Sequence, residues 1–110
     1  MRKATILFKD EPAGTLTQHD DGGFTFAYHS SWLNDASKPP ICLTLPKNRG
    51  EFHSKHLFPF FFHMLPEGNN KSVVCRTLKI DPDDPFGILT AVAKDDTIGA
   101  VRVVAETPVV

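Results

Sequence analysis

Phe58-Pro59-Phe60-Phe61-Phe62-His63-Met64-Leu65-Pro66-Glu67-Gly68 puts four phenylalanines into five positions and then stops at Leu-Pro-Glu-Gly. No regular element can aim all four rings the same way. On a helix, Phe58, Phe61, Phe62 and Leu65 fall at i, i+3, i+4 and i+7, a single apolar face that is expected in the core. Phe60, His63 and Met64 lie off that face, so part of this second set must meet solvent or another surface. Aromatic and methionine side chains are enriched where proteins touch, and burial within the domain is the competing reading. The stretch therefore reads as a short helix docked on a sheet beside a sharp turn. Phe60, His63, Met64, Leu65, Pro66 and Glu67 are its candidate partner-binding residues.

Upstream the sequence reads as strands. Residues 5–9 form a first strand, Asp10-Glu11-Pro12-Ala13-Gly14 supplies turn chemistry, and residues 15–18 form a second strand. Asp20-Asp21-Gly22-Gly23 is a hairpin signal. Phe24-Thr25-Phe26-Ala27-Tyr28 alternates strictly, with its aromatic residues expected in the core. Ser30-Ser31-Trp32-Leu33-Asn34 reads as one helical turn, with Trp32 as a lid over the sheet edge. Residues 41–45 read as a fourth strand that Pro46 ends, and residues 47–56, polar and without period, as an exposed loop.

Downstream the pattern turns helical. Residues 70–79 carry Val74 and Leu78 at i, i+4, with Asn69 or Asn70 available as cap. A second helix opens with Asp84 as N-cap and Pro85 at the first helical position, and Phe86, Leu89, Val92 and Ala93 line one face. Lys94-Asp95-Asp96 marks its end, residues 98–105 read as a returning strand, and residues 107–110 as a tail. Strands, then helices, then one more strand predict an α+β fold. Its mostly antiparallel sheet of about five strands carries two to three helices on one face. Residues 1–110 read as a single domain.

Composition narrows the function. A formal net charge of -1 does not suit non-specific nucleic-acid binding. No apolar run reaches the roughly 20 residues a bilayer crossing needs. The first residues have no signal-peptide pattern, so a cytoplasmic location is expected. Cys42 and Cys75 stand far apart in apolar stretches and read as reduced core thiols. The sequence contains no glycine-rich phosphate loop, no kinase catalytic set and no Gly-x-Ser-x-Gly elbow. His53 and His56, at i, i+3, lack further ligands nearby, and Asp81, Asp83 and Asp84 suit helix capping better than calcium. No catalytic residue, cofactor or metal is expected, and a non-enzymatic role follows.

The ordered motifs add a resemblance. Phe8 through Gly14-Thr15-Leu16, Phe24 through Tyr28 with Trp32-Leu33, and Leu43-Thr44-Leu45-Pro46 come first. Phe61-Phe62 through Leu65-Pro66-Glu67-Gly68, Asp83 through Leu89 and Gly99-Ala100-Val101 complete the series. Together they resemble the N-terminal subdomain of HipA-type serine/threonine kinases, with Met64 where that family usually has leucine. The sequence stops where the subdomain stops, so it is similar to the separate HipS subunits of three-component HipBST toxin–antitoxin systems. That resemblance implies an antitoxin or regulatory subunit that binds a HipA-like kinase toxin (HipT) in trans. A HipB-like DNA-binding protein is implied in the same complex, and no direct nucleic-acid or membrane contact. A fragment of a longer HipA-like kinase and a structural scaffold subunit are the alternatives.

Overall fold

The computed structural model describes residues 2–93 and 100–106. Five strands form one sheet in the order β4-β3-β2-β1-β5: β1 (Arg2–Phe8), β2 (Glu11–Gln18), β3 (Phe24–Tyr28), β4 (Glu51–Ser54) and β5 (Val101–Ala105). Every neighbouring pair is antiparallel. The expected α+β architecture is present, with four helical segments in place of two or three: α1 (Ser30–Leu33), α2 (Pro59–Phe62), α3 (Gly68–Leu78) and α4 (Pro85–Val92). Residues 94–96, 98–99 and 107–110, read above as a helix end, the start of the last strand and a tail, lie outside the described residues.

The first turn is tighter than the sequence suggested. Phe8 pairs with Glu11, leaving Lys9 and Asp10 as a two-residue turn with φ of 50° and 67°. Positive φ at both central residues matches the right-handed twist of the flanking strands. Pro12 and Gly14 therefore lie inside β2. The register slips between Ile6–Gly14 and Leu7–Pro12, so Ala13 is the extra residue of a bulge. Pro12 sits beyond the part of β2 that pairs with β3, where no second ladder bond is required. Gly14 is dictated by closeness: a Cβ there would stand 2.5 Å from the Ala27 carbonyl oxygen and 2.9 Å from the Phe26 ring. The second hairpin forms as read, with the His19 N–H donating to the Gly23 carbonyl at 2.8 Å and Gly22 at φ 91°.

Two expectations for the middle of the chain fail. Residues 41–45 are not a strand. Their backbone turns away from the sheet between prolines, and the Tyr28 hydroxyl takes up its polar groups. That hydroxyl accepts the Ile41 N–H at 3.1 Å and donates to the Leu45 carbonyl. The fourth strand is instead Glu51–Ser54, within the stretch read as an exposed loop. It is an edge strand in which Phe52 alone faces the core, paired with Phe26, so it carries no period for the sequence to show.

The core lies between one face of the sheet and the helical layer. Phe24, Phe26 and Tyr28 point into it as the alternation requires. Fully enclosed Phe26 meets Tyr28 edge-on at 4.9 Å, Phe61 at 6.0 Å and Phe52 at 6.5 Å. Burying each such ring contributes about 1.5–3 kcal/mol. Trp32 is enclosed, packs on Phe8 at 5.6 Å and donates its indole N–H to the Pro39 carbonyl at 2.9 Å. On the helical side, α4 is capped as predicted: the Asp84 carboxylate accepts from the Gly87 N–H at 3.1 Å, and Pro85 opens the helix. Cys75 is buried, whereas Cys42 is only half-buried in the 39–46 loop, and both thiols are free.

Candidate functional site

Sequence and packing meet at the end of the phenylalanine run. Pro59 starts α2 and His63 caps it after one turn, so the face expected to run on to i+7 never forms. Phe58 and Phe61 are buried as expected. Phe62, assigned to the core, is instead 55% exposed. Phe60, assigned away from it, packs edge-on against Phe61 at 5.2 Å, and Met64 also leans on the core. His63 and Glu67 are exposed; Leu65 and Pro66 are half-buried. A helix of one turn has too few residues to obey helical phase, and its flanking turns decide which rings go in.

After α2 the chain tightens through Met64 N–H to Phe61 carbonyl and Leu65 N–H to Phe62 carbonyl bonds of 3.0 and 3.1 Å. Pro66 holds the preceding residue away from helical backbone. Gly68 then turns the chain into α3 with φ of 56°, a region open to glycine without strain. The expected caps Asn69 and Asn70 already lie inside α3. Its N-cap is Glu67, in extended backbone and without a side-chain cap bond. Lys79 closes α3 in the left-handed conformation, and the Ile80 N–H returns to the Cys75 carbonyl at 2.8 Å. Cys75 is the one buried residue of α3. Leu78, expected to pack, is instead 51% exposed at the last position of the helix.

These turns leave a groove of about 460 Å³ between α2, the start of α3 and the start of α4. Phe62, Leu65, Pro66 and Glu67 line it from α2 and the turn, Lys71 from α3, and Pro82, Asp83, Pro85 and Ile88 from the start of α4 and the residues before it. Of the six candidates read from sequence, Leu65, Pro66 and Glu67 line it. His63 stands outside it, and Phe60 and Met64 support it from the core side. Phe62 and the α4 side were missed. The crowding of Pro59 and Pro66 around the run was the available signal, since it leaves no room for two helical turns. Among the described residues, Glu67, Lys71 and Asp83 join no ion pair within the chain, so the rim keeps charge for an outside partner. Asp84 is committed inward: bonds from Arg2, and then from the Gly87 N–H, hold its carboxyl below the usual carboxylate range.

A second cleft of about 500 Å³ runs along α3, lined by Lys71, Cys75, Arg76 and Pro82, and a third of about 350 Å³ is lined by His19, Thr25, His53 and Lys55. His53, considered with His56 from sequence, turns to the Thr25 hydroxyl at 3.0 Å and to Glu51 at 3.0 Å. His19 meets the same hydroxyl at 2.6 Å. These groups satisfy one another on the sheet face opposite the helices. Among the described residues no helix is long and apolar enough to cross a membrane.

Comparison with known proteins identifies this arrangement. The family described as the HipA N-terminal domain matches residues 4–104. The chain belongs to that family. A solved structure titled "N-terminal domain of HipA toxin" superposes with a TM-score of 0.71 at 28% identity, covering 97% of this chain and 94% of the other. In Sinorhizobium fredii, "Putative kinase Y4mE" is 32% identical over 96% of this chain, and "Putative kinase Y4dM" is 30% identical over 94%. This HipA N-terminal domain spans only 25% and 27% of those two proteins. An uncharacterized Haemophilus influenzae protein is 33% identical over 96% of this chain and 94% of its own length. The HipA N-terminal fold thus occurs both within longer proteins titled as kinases and across almost the whole of a short one.

Proposed function

We propose that this chain is the binding subunit of a toxin–antitoxin system of the HipBST type. It would act in the cytoplasm, docking in trans on a HipA-like serine/threonine kinase (HipT) and restraining it without chemistry of its own. The observation that carries the reading is Phe62, a large apolar side chain half out of the molecule over a groove walled by three prolines. A rigid apolar wall loses little conformational entropy on binding, so more of the burial energy appears as affinity. Phe60, His63, Met64, Leu65, Pro66 and Glu67 form the wider contact, with Phe60 and Met64 packed partly against the core beneath it. Restraint is steric: a bulky surface seated beside the nucleotide site prevents alignment of ATP and substrate. A HipB-like DNA-binding protein joins through the kinase.

Coexpression with the HipA-like kinase encoded beside it tests the reading, scoring copurification and rescue of growth. A central aromatic anchor contributes at least about 2 kcal/mol to an interface, so Phe62→Asp should weaken kinase binding by about 30-fold or more. A chain that neither copurifies with the kinase nor restores growth would end the proposal.

A further inference from the structure

Leu43 is 95% exposed, the most exposed large apolar side chain among the described residues. A lone surface leucine is ordinary and signifies nothing alone. The frame that aims this one is not ordinary. It occupies the tip of the loop spanning residues 39–46, whose two shoulders, Ile41 and Leu45, are sunk in the core at 6% and 2% exposure. The Tyr28 hydroxyl bonds both shoulders at once, through the Ile41 N–H and the Leu45 carbonyl. Trp32 holds the Pro39 carbonyl, and the Lys47 ammonium bonds the Asp35 and Lys38 carbonyls at 2.7 Å each. Pro39, Pro40 and Pro46 fix φ on either side. The Cys42 thiol and Thr44 hydroxyl meet across the tip at 3.3 Å. A flexible loop would fold such a leucine back against the body; this one is held out.

We infer that Leu43 is a preformed knob that enters an apolar socket on the same kinase partner that covers the groove. Two observations place both contacts under one partner. The loop and α2 cover the same face of the sheet: the Tyr28 hydroxyl bonds both shoulders of the loop, and Phe26, two residues earlier on β3, meets Phe61 of α2 at 6.0 Å. Size supplies the second. A specific interface covers about 800 Å² of each partner, more than a single groove of this kind provides. On a body of 42 × 29 × 29 Å, a patch of that area centred on α2 reaches its neighbours in the layer. The fixed backbone makes the knob effective, because the loop has already been ordered before the partner arrives.

This inference rests on the kinase-binding reading of the groove, and the test separates the two. Wild type, Leu43→Asp and Phe62→Asp are titrated against the purified kinase by calorimetry, with thermal melts and sedimentation of each chain alone. Because Leu43 makes no core contact, Leu43→Asp should melt with wild type. It should bind the kinase about 30-fold or more weakly, while Leu43→Met stays within about threefold of wild type. Loss of binding in Phe62→Asp with none in Leu43→Asp overturns the knob and leaves the groove reading standing. Loss in both variants supports one partner over knob and groove; loss in Leu43→Asp alone overturns that, because the kinase would then leave the groove uncovered. A wild type that binds no kinase overturns both. A wild type that self-associates, and becomes monomeric in Leu43→Asp with kinase binding intact, overturns the inference by making a second copy the occupant.

Discussion

Replacing Tyr28 by phenylalanine removes one oxygen and leaves the ring, yet it should unfasten the loop that carries Leu43. In the native chain that oxygen accepts from Ile41 and donates to Leu45, so its loss orphans one backbone donor and one backbone acceptor in the core. An unpaired buried group costs about 1–3 kcal/mol. The loop borders solvent at the half-buried Cys42, so both groups take values near the lower end, about 2–3 kcal/mol together. A hydroxyl that merely exchanged water for protein partners would contribute about 1 kcal/mol or less. Urea unfolding followed by circular dichroism measures the difference, and amide exchange at Ile41 reports whether the loop opens locally. A pH series adds an independent check. Burial raises the Tyr28 phenol above its ordinary value, against a smaller opposing effect from the Ile41 bond. The folded state therefore holds the phenolic proton more tightly than the unfolded chain does. This contribution is complete below about pH 10 and is lost as the pH climbs through the folded value. Tyr28→Phe should lack that alkaline decline. A loss under about 0.5 kcal/mol with unchanged exchange at Ile41 would refute the claim that the hydroxyl fastens the loop.

Phe61→Ala empties the centre of the ring cluster and should cost about 3–5 kcal/mol in chemical denaturation, enough to threaten a domain of ordinary stability. Gly14→Ala drives a methyl group onto the Ala27 carbonyl, an atom that cannot rotate away. A loss of about 3 kcal/mol is expected, read as a fall in melting temperature of about 12 °C or more. Asp84→Ala removes both the α4 cap and the Arg2 bond, for about 1–2 kcal/mol at neutral pH. Because Arg2 and the Gly87 N–H hold the Asp84 carboxyl low, its contribution is present above about pH 4 and fades as the pH falls through the folded value. The variant's acid unfolding profile should accordingly be flatter than wild type.

What the sequence disclosed depended on whether a segment's partners were local. β3 alternates because it has a core on one side and a polar face on the other, and each residue states its own side. The start of α4 is written in Asp84 and Pro85, whose chemistry acts within one turn. β4 could not be read in this way, since a four-residue edge strand with one inward ring carries no period. Residues 41–45 misled for the opposite reason. They are apolar and strand-like, but their hydrogen bonds go to a side chain 13 and 17 positions earlier. The binding face shows the same limit. Leu65, Pro66 and Glu67 were evident from the turn they make, whereas Phe62 needed the length of α2, and Pro82, Asp83 and Pro85 needed the placement of α4. Lys71 needed α3 to begin at Gly68.

The last strand pairs with the first, and the Glu106 N–H reaches the Lys3 carbonyl at 2.9 Å. A nascent chain can therefore zip its first three strands together early but must leave the flank of β1 bare until residues 101–105 emerge from the ribosome. Throughout that interval Ile6 lacks the cover of Val103, and a row of unpaired amides invites any passing strand. Pairing of residues 101–105 thus acts as a latch: copies that stall before this strand carry an open seam, exposed to aggregation or proteolysis.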